Sequence, residues 1–471
     1  MDELIGASAT ALAEAISSRT VSAEEVMQAH LERVDALNPT INAICTINEQ
    51  ALSDARACDA RLASGGSPRA LEGVPVVVKD NIETAGLRTT YGSLTSEHNV
   101  PVADAVLVER LRAAGAVVVG KSNTPEFAAD INPRNAVFGQ TRNPWDLNVT
   151  PGGSSGGTAA AVSSAMVPVG IGTDLGGSIR IPAAFTGLVG LRPSPGRVPV
   201  YPQEFAWDTL IAHVQGPMAR TVEDLARVFS VIAGPDERDP STLPAVDSGF
   251  WRLPPDPAAA LAGTKVAYIR DLAGLVPLDH EVRALVDAAL ADLANDGCEV
   301  TEDSFDASDL RAIMGGTRAF NVMARLSDKY ADYPDAITVP IANQVRAALQ
   351  IDVATVVQAE RARSLYWHRV RALLERYDFL VTPTVTVPPF RLDEALPTTI
   401  GGHPVAHFYD AILTTYAFSV TGLPALSVPC GFTPSGLPVG LQIVGHRHRE
   451  DRGLAFGAGD LAAHPGHTRR P

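Results

Sequence analysis

The chain has 471 residues, of which 46% are hydrophobic and 19% charged, an ordinary globular composition with ample material for a large core. Its formal charge is −15, from 38 basic and 53 acidic residues, and no dense Lys/Arg cluster stands out, which argues against a nucleic-acid surface. The four cysteines (Cys45, Cys58, Cys298 and Cys430) are widely spaced without CxxC or His-rich ligand spacing, so they read as reduced and structural, in a cytoplasmic protein without a metal.

The N-terminal run MDELIGASATALAEAISS begins acidic and lacks a long apolar core, unlike a signal peptide. Ser22 and Glu25 form a capping box, and Met27, Leu31 and Val34 give the following helix one apolar face. That helix is expected to stop before Pro39. A second helix is expected over about 51–63, a strand over 75–78, a helix over 104–114 and a buried strand over 116–119. Residues 147–173 carry no charge, but glycines, serines and prolines break the run, so it falls short of the ~20 mostly apolar residues of a membrane span. Within it, 159–165 reads as helix and 167–172 as strand, with Pro168 at the strand's start. Residues 233–262 are rich in Pro, Asp and Ser and read as a long surface crossing. A strand at 265–269, mainly helix over 309–377, and strands at 379–382 and 425–428 follow.

Strands alternating with helices imply an α/β fold with a largely parallel sheet. One interwoven domain spans 1–471: N-terminal helices at about 7–63, a catalytic core at 70–232, the crossing at 233–262, a second half at 263–462 and a short tail at 463–471. Ligands of such sheets bind beyond the carboxyl ends of strands. Lys79 follows one such strand, and Ser178 follows another.

Three runs carry chemistry: GVPVVVKDN (73–81), TPGGSSGGT (150–158) and GTDLGGSIRIP (172–182). A serine among glycines offers an accessible hydroxyl beside exposed N–H groups, the material of a nucleophile with an oxyanion hole. A lysine serves as its base if burial lowers the ammonium pKa. No histidine lies in these runs. Two motif matches compete. Gly115–Ser122 fits the P-loop pattern, but its four intervening residues read as strand and Thr124-Pro125 follow where a helix is needed. Gly152–Gly156 fits G-x-S-x-G, which would make Ser154 an esterase nucleophile needing a downstream histidine such as His213, His368, His403 or His407.

Taken together, these runs and NPTINAI, GKSNTPEF, FGQTRNPWD, TGLPALSVPCGF and GLPVGLQIVG make the chain resemble the amidase signature family over nearly its whole length. The resemblance implies a central mixed, largely parallel twisted sheet covered by helices on both faces. It implies a triad of Lys79 as base, Ser154 in a cis peptide bond as bridge, and Ser178 as nucleophile. The oxyanion hole would come from the N–H groups of Leu175, Gly176, Gly177 and Ser178. Asp174, Arg180 and Ser155 would brace the loop. Phe127, Ala128, Ala129, Asp130, Ile179, Tyr416 and Phe418 would line the pocket. The implied reaction cleaves C–N bonds of amides, extending to carbamates (urethanes), anilides and aryl esters, through an acyl-enzyme, without metal or other cofactor. The family also contains the glutamine-hydrolysing subunit of tRNA-dependent amidotransferases. That subunit usually carries Asp where this chain has Ile412, so the sequence points to a free-standing amidase, monomer or homodimer, acting on a small molecule without nucleic acid or membrane.

Overall fold

A computed structural model describes residues 2–203, 205–207, 213–405, 407 and 409–471. Eleven strands form the main sheet: β1 (Ile44–Ile47), β2 (Pro75–Lys79), β3 (Val117–Ser122), β4 (Val169–Asp174), β5 (Val189–Arg192), β6 (Val214–Ala219), β7 (Lys265–Tyr268), β8 (Glu299–Glu302), β9 (Phe379–Pro383), β10 (Ala425–Phe432) and β11 (Pro438–Val444). Their order is β1-β3-β2-β4-β6-β5-β10-β11-β9-β7-β8, so both halves of the chain share one sheet. The sheet is mixed. Parallel pairing runs through β3-β2-β4 on one flank and β9-β7-β8 on the other. The strands between are antiparallel; β10 and β11 are joined by the short return 433–437, which leaves no room for a crossover helix.

Helices cover both faces. Strand β2 is buried throughout, and its alternate side chains enter different cores. Val76 and Val78 join a cluster with residues of helices Val106–Ala113, Val222–Ile232 and His280–Asn295, whereas Val77 joins one with helices Ala23–Ile41 and Gly156–Ser163. Each such valine contributes roughly 1.5–3 kcal/mol of burial. Among the described residues, no helix is long and apolar enough to cross a membrane.

The expected elements recur within a few residues, with one informative difference. The Ser22–Glu25 capping box forms, but its helix continues through Pro39 to Ile41. A proline this close to the end removes only one ladder bond, and Asn42, left-handed at φ 55°, closes the turn by donating its N–H to Asn38 O. All but the first two residues of the P-loop match form β3, where Lys121 Nζ donates to Ile82 O and Thr84 Oγ1. Lys121 is a buried strut, its pKa lowered to about 8 by burial against the opposing pull of Asp80, and no loop is present to cradle phosphate.

Candidate active site

Lys79 ends β2 and is fully buried. Its Nζ lies 2.7 Å from Ser154 Oγ, 3.0 Å from Ser155 Oγ and 2.9 Å from Thr173 Oγ1. Burial pushes the ammonium well below its usual pKa, against a smaller opposing pull from Asp174. A neutral amine has two N–H groups and one lone pair, so two of the three hydroxyls accept and one donates. Ser155 directs its own hydrogen to Thr173 O at 3.2 Å, which leaves its oxygen as an acceptor. Thr173 Oγ1 also accepts from Asn81 Nδ2 at 3.2 Å.

The Gly153–Ser154 peptide is cis. Ser178 sits between β4 and the helix Arg180–Thr186, is half-buried and faces the cavity. The two serine loops are tied together because Ser155 N–H donates to Ser178 O at 3.1 Å.

The loop from Asp174 to Arg180 is held from inside. Asp174 accepts from Arg180 Nε at 3.0 Å and Nη2 at 2.9 Å, and Arg192 Nη1 lies 3.4 Å away. All three side chains are fully buried. Burial alone would raise the Asp174 carboxyl, but the two guanidinium groups outweigh it and hold the pKa far below the usual carboxylate range. Arg180 Nη1 also donates to Thr415 O and Gln442 Oε1, and its Nη2 to Ser419 Oγ. Gly177 has φ 130°, and a Cβ there would lie 2.4 Å from Thr415 Oγ1, so both conformation and space require glycine.

This bracing redistributes the four expected oxyanion donors. Gly177 N–H points to Asp174 Oδ1 at 2.8 Å, so it is committed to the loop. Among the described residues, the N–H groups of Leu175, Gly176 and Ser178 have no such acceptor. Ser155 does more than brace, since it touches Lys79 directly.

A cavity of about 310 Å³ opens at Ser178. Phe127, Ala128, Ala129, Asp130 and Tyr416 line it as expected, together with Ile412. Ile179 and Phe418 do not. Both are fully buried in the core, Ile179 beside Ala183 and Met218 and Phe418 among residues of the second half. Asp130 is half-buried, and burial raises its carboxyl above the usual range. The sequence reading missed Thr173, Asn81 and Arg192. The first two stand inside the quoted runs, and Arg192 carried no local signal. His213 lines the cavity, but among the described residues no histidine bonds Ser154, whose hydroxyl is committed to Lys79. The arrangement can move a proton from a serine hydroxyl to a buried amine beside a row of open N–H donors.

A family model described as Amidase matches residues 25–454. The A subunit of glutamyl-tRNA(Gln) amidotransferase from Acidothermus cellulolyticus is 37% identical, over 100% of this chain and 97% of that one. Among solved structures, a bacterial aryl acylamidase of the amidase signature enzymes matches with a TM-score of 0.89 at 27% identity, over 99% of each chain. The 6-aminohexanoate cyclic dimer hydrolase complexed with substrate matches with a TM-score of 0.87 at 29% identity, over 100% of this chain and 99% of the other.

Proposed function

The chain belongs to the amidase family, the amidase signature enzymes, and is a hydrolase of carbon–nitrogen bonds; from that premise we propose that it deamidates a carboxamide through an acyl-enzyme on Ser178. The observation that carries this is the buried Lys79 amine against Ser154 Oγ. Neutral Lys79 takes the Ser154 proton as Ser154 takes that of Ser178, and Ser178 Oγ attacks the carbonyl carbon. The oxyanion is met by the N–H groups of Leu175, Gly176 and Ser178; one such donor is worth on the order of 3 kcal/mol. The same relay returns the proton to the leaving nitrogen, and water then cleaves the ester.

For the substrate, the relatives support a glutamine-hydrolysing amidotransferase subunit better than the free-standing amidase that the sequence led us to expect. The amidotransferase relative is 37% identical over the full chain, against 27% and 29% for the two solved hydrolases. On this reading glutamine is the amide, and the chain works with other subunits on a tRNA-borne acceptor. The expected independence of partners and nucleic acid is not retained.

A second reading, hydrolysis of a neutral anilide, carbamate or aryl ester by the chain alone, is favoured by one specific observation. Ile412 faces the cavity where the amidotransferase family members usually carry Asp, beside Tyr416, so position 412 offers no carboxylate to an α-amino group, and the acids that line the cavity with it, Asp130 among them, stand at other positions. One experiment separates the two. Ammonia release from glutamine is measured beside hydrolysis of an anilide, a carbamate and an aryl ester, with the chain alone and with any protein it captures. Glutamine preferred at least about tenfold in kcat/KM (~1.4 kcal/mol) upholds the amidotransferase reading. The reverse preference by the lone chain upholds the second. A stable phenylmethylsulfonyl adduct on Ser154 instead of Ser178 overturns the shared mechanism.

A further inference from the structure

The helix Glu450–Ala463 ends in a short turn at Pro465–His467, remote from the cavity, and none of the residues discussed below lines that cavity. The turn brings Asp460, His464 and His467 together opposite Asp292 and Asp296 of the helix His280–Asn295 and its cap. One ligand atom from each of Asp460, His464 and His467 lies within 4.8 Å of the others. Their side chains are 1%, 16% and 17% exposed, so the group is an enclosed cluster and not a solvated surface patch.

Two observations within the cluster point to a cation. First, Asp460 Oδ2 and His467 Nδ1 are buried and have no hydrogen-bond partner. Leaving such a group unsatisfied costs roughly 1–3 kcal/mol, more for a charged one. Second, both ring nitrogens of His464 face oxygen acceptors, more than one neutral imidazole can satisfy. Its Nδ1 lies 3.1 Å from both Asp460 Oδ1 and the Asp460 backbone O, while its Nε2 lies 3.0 Å from Asp296 Oδ2. A carboxylate on the far ring nitrogen favours the proton there, and the near nitrogen's lone pair then meets two acceptor oxygens, a crowding of lone pairs that a shared cation relieves. His467 repeats the pattern more loosely, with Nε2 at 3.9 Å from Asp292 Oδ2 and Nδ1 unpartnered.

We infer that Asp460, His464 and His467, backed by Asp292 and Asp296, form a binding site for one divalent transition-metal ion of the zinc type, which fastens the C-terminal turn to the helix His280–Asn295. Imidazole with carboxylate is the donor set of zinc and its neighbours, whereas calcium and magnesium take oxygen donors. Bonds of about 2.0–2.2 Å hold ligand atoms up to about 4.2 Å apart, so the ion draws the cluster together by a fraction of an ångström. The Asp-x3-His-x2-His spacing escaped a search for CxxC and His-rich runs, and a site there runs against the expectation of a chain without a metal.

The test uses the full chain with any affinity tag removed, dialysed against EDTA. Zinc chloride is titrated by calorimetry, and cobalt chloride by absorption. The expected result is one equivalent bound with Kd of about 10 µM or tighter. The cobalt spectrum lacks a thiolate charge-transfer band, and the unfolding temperature rises with zinc concentration. His464→Ala and His467→Ala remove both the equivalent and the zinc-dependent rise, with amide hydrolysis unchanged. Asp460→Asn, close to isosteric, carries the same test if a histidine variant fails to fold. A Kd weaker than about 10 µM overturns the inference and leaves the cluster as a proton-sharing network. Binding that survives the substitutions, or a thiolate band, places the ion elsewhere and overturns it equally.

Discussion

Lys79 is useful as a base only without its proton, and its surroundings remove that proton by denying it water. Since burial sets the folded pKa well below 10.5, amide hydrolysis should rise with pH and level off before the ordinary lysine range. A kcat–pH profile checks this, and full activity persisting at pH 5 would count against a lysine base. Lys79→Ala should lower amide turnover by about 10²–10⁴-fold with an unchanged circular dichroism spectrum. An aryl ester should suffer less, because its leaving group needs no proton. Most of this site was legible because its residues lie in short glycine-rich runs whose local conformation is set by neighbours. The placements that differed depend on side-chain direction. Tyr416 and Phe418 are two positions apart in the helix Leu413–Ser419, hence about 200° apart around it, so only one can face the cavity. Arg192 reaches Asp174 from another strand, a convergence no local pattern encodes.

At the scale of elements, the helix Gly156–Ser163 must approach β3 closely to set the Ser154 turn. A Cβ on Gly157 would lie 2.4 Å from Asn123 N, 2.5 Å from Asn123 O and 2.7 Å from Ala43 O, all backbone atoms that cannot rotate away. Gly157→Ala should therefore lower stability by about 1–3 kcal/mol in urea unfolding and reduce kcat more than it changes KM. Helix and strand positions were readable from apolar periodicity, whereas strand order was not. The antiparallel centre depends on which strands return by short connections and which cross over. Pro39 shows the same limit, since a single residue's preference yields to a cap supplied by Asn42 and Asn38.

For the whole molecule, Arg180 is the tie. It joins Asp174 of the first half to Thr415, Ser419 and Gln442 of the second. Arg180→Met should cost about 3 kcal/mol or more of unfolding free energy, because it strands part of a buried carboxylate's charge, and should abolish turnover. The Asp174 carboxyl is depressed in the folded state, so its stabilisation is complete above the ordinary carboxylate pKa. It is lost as pH falls from there toward the folded value. Denaturant midpoints measured between about pH 5 and pH 2 should fall less steeply in Asp174→Asn than in the wild type. The long sheet also has an end. Strand β8 is its last member, largely exposed, and carries Glu299 together with Glu302, the latter paired with Arg270 Nη2 at 2.6 Å. Two molecules aligning these end strands would bring the Glu299 carboxylate of each copy to the shared seam, which opposes backbone pairing there. The eleven-stranded sheet thus ends on a strand whose repulsion of a second copy is strongest in dilute salt and wanes as ionic strength climbs.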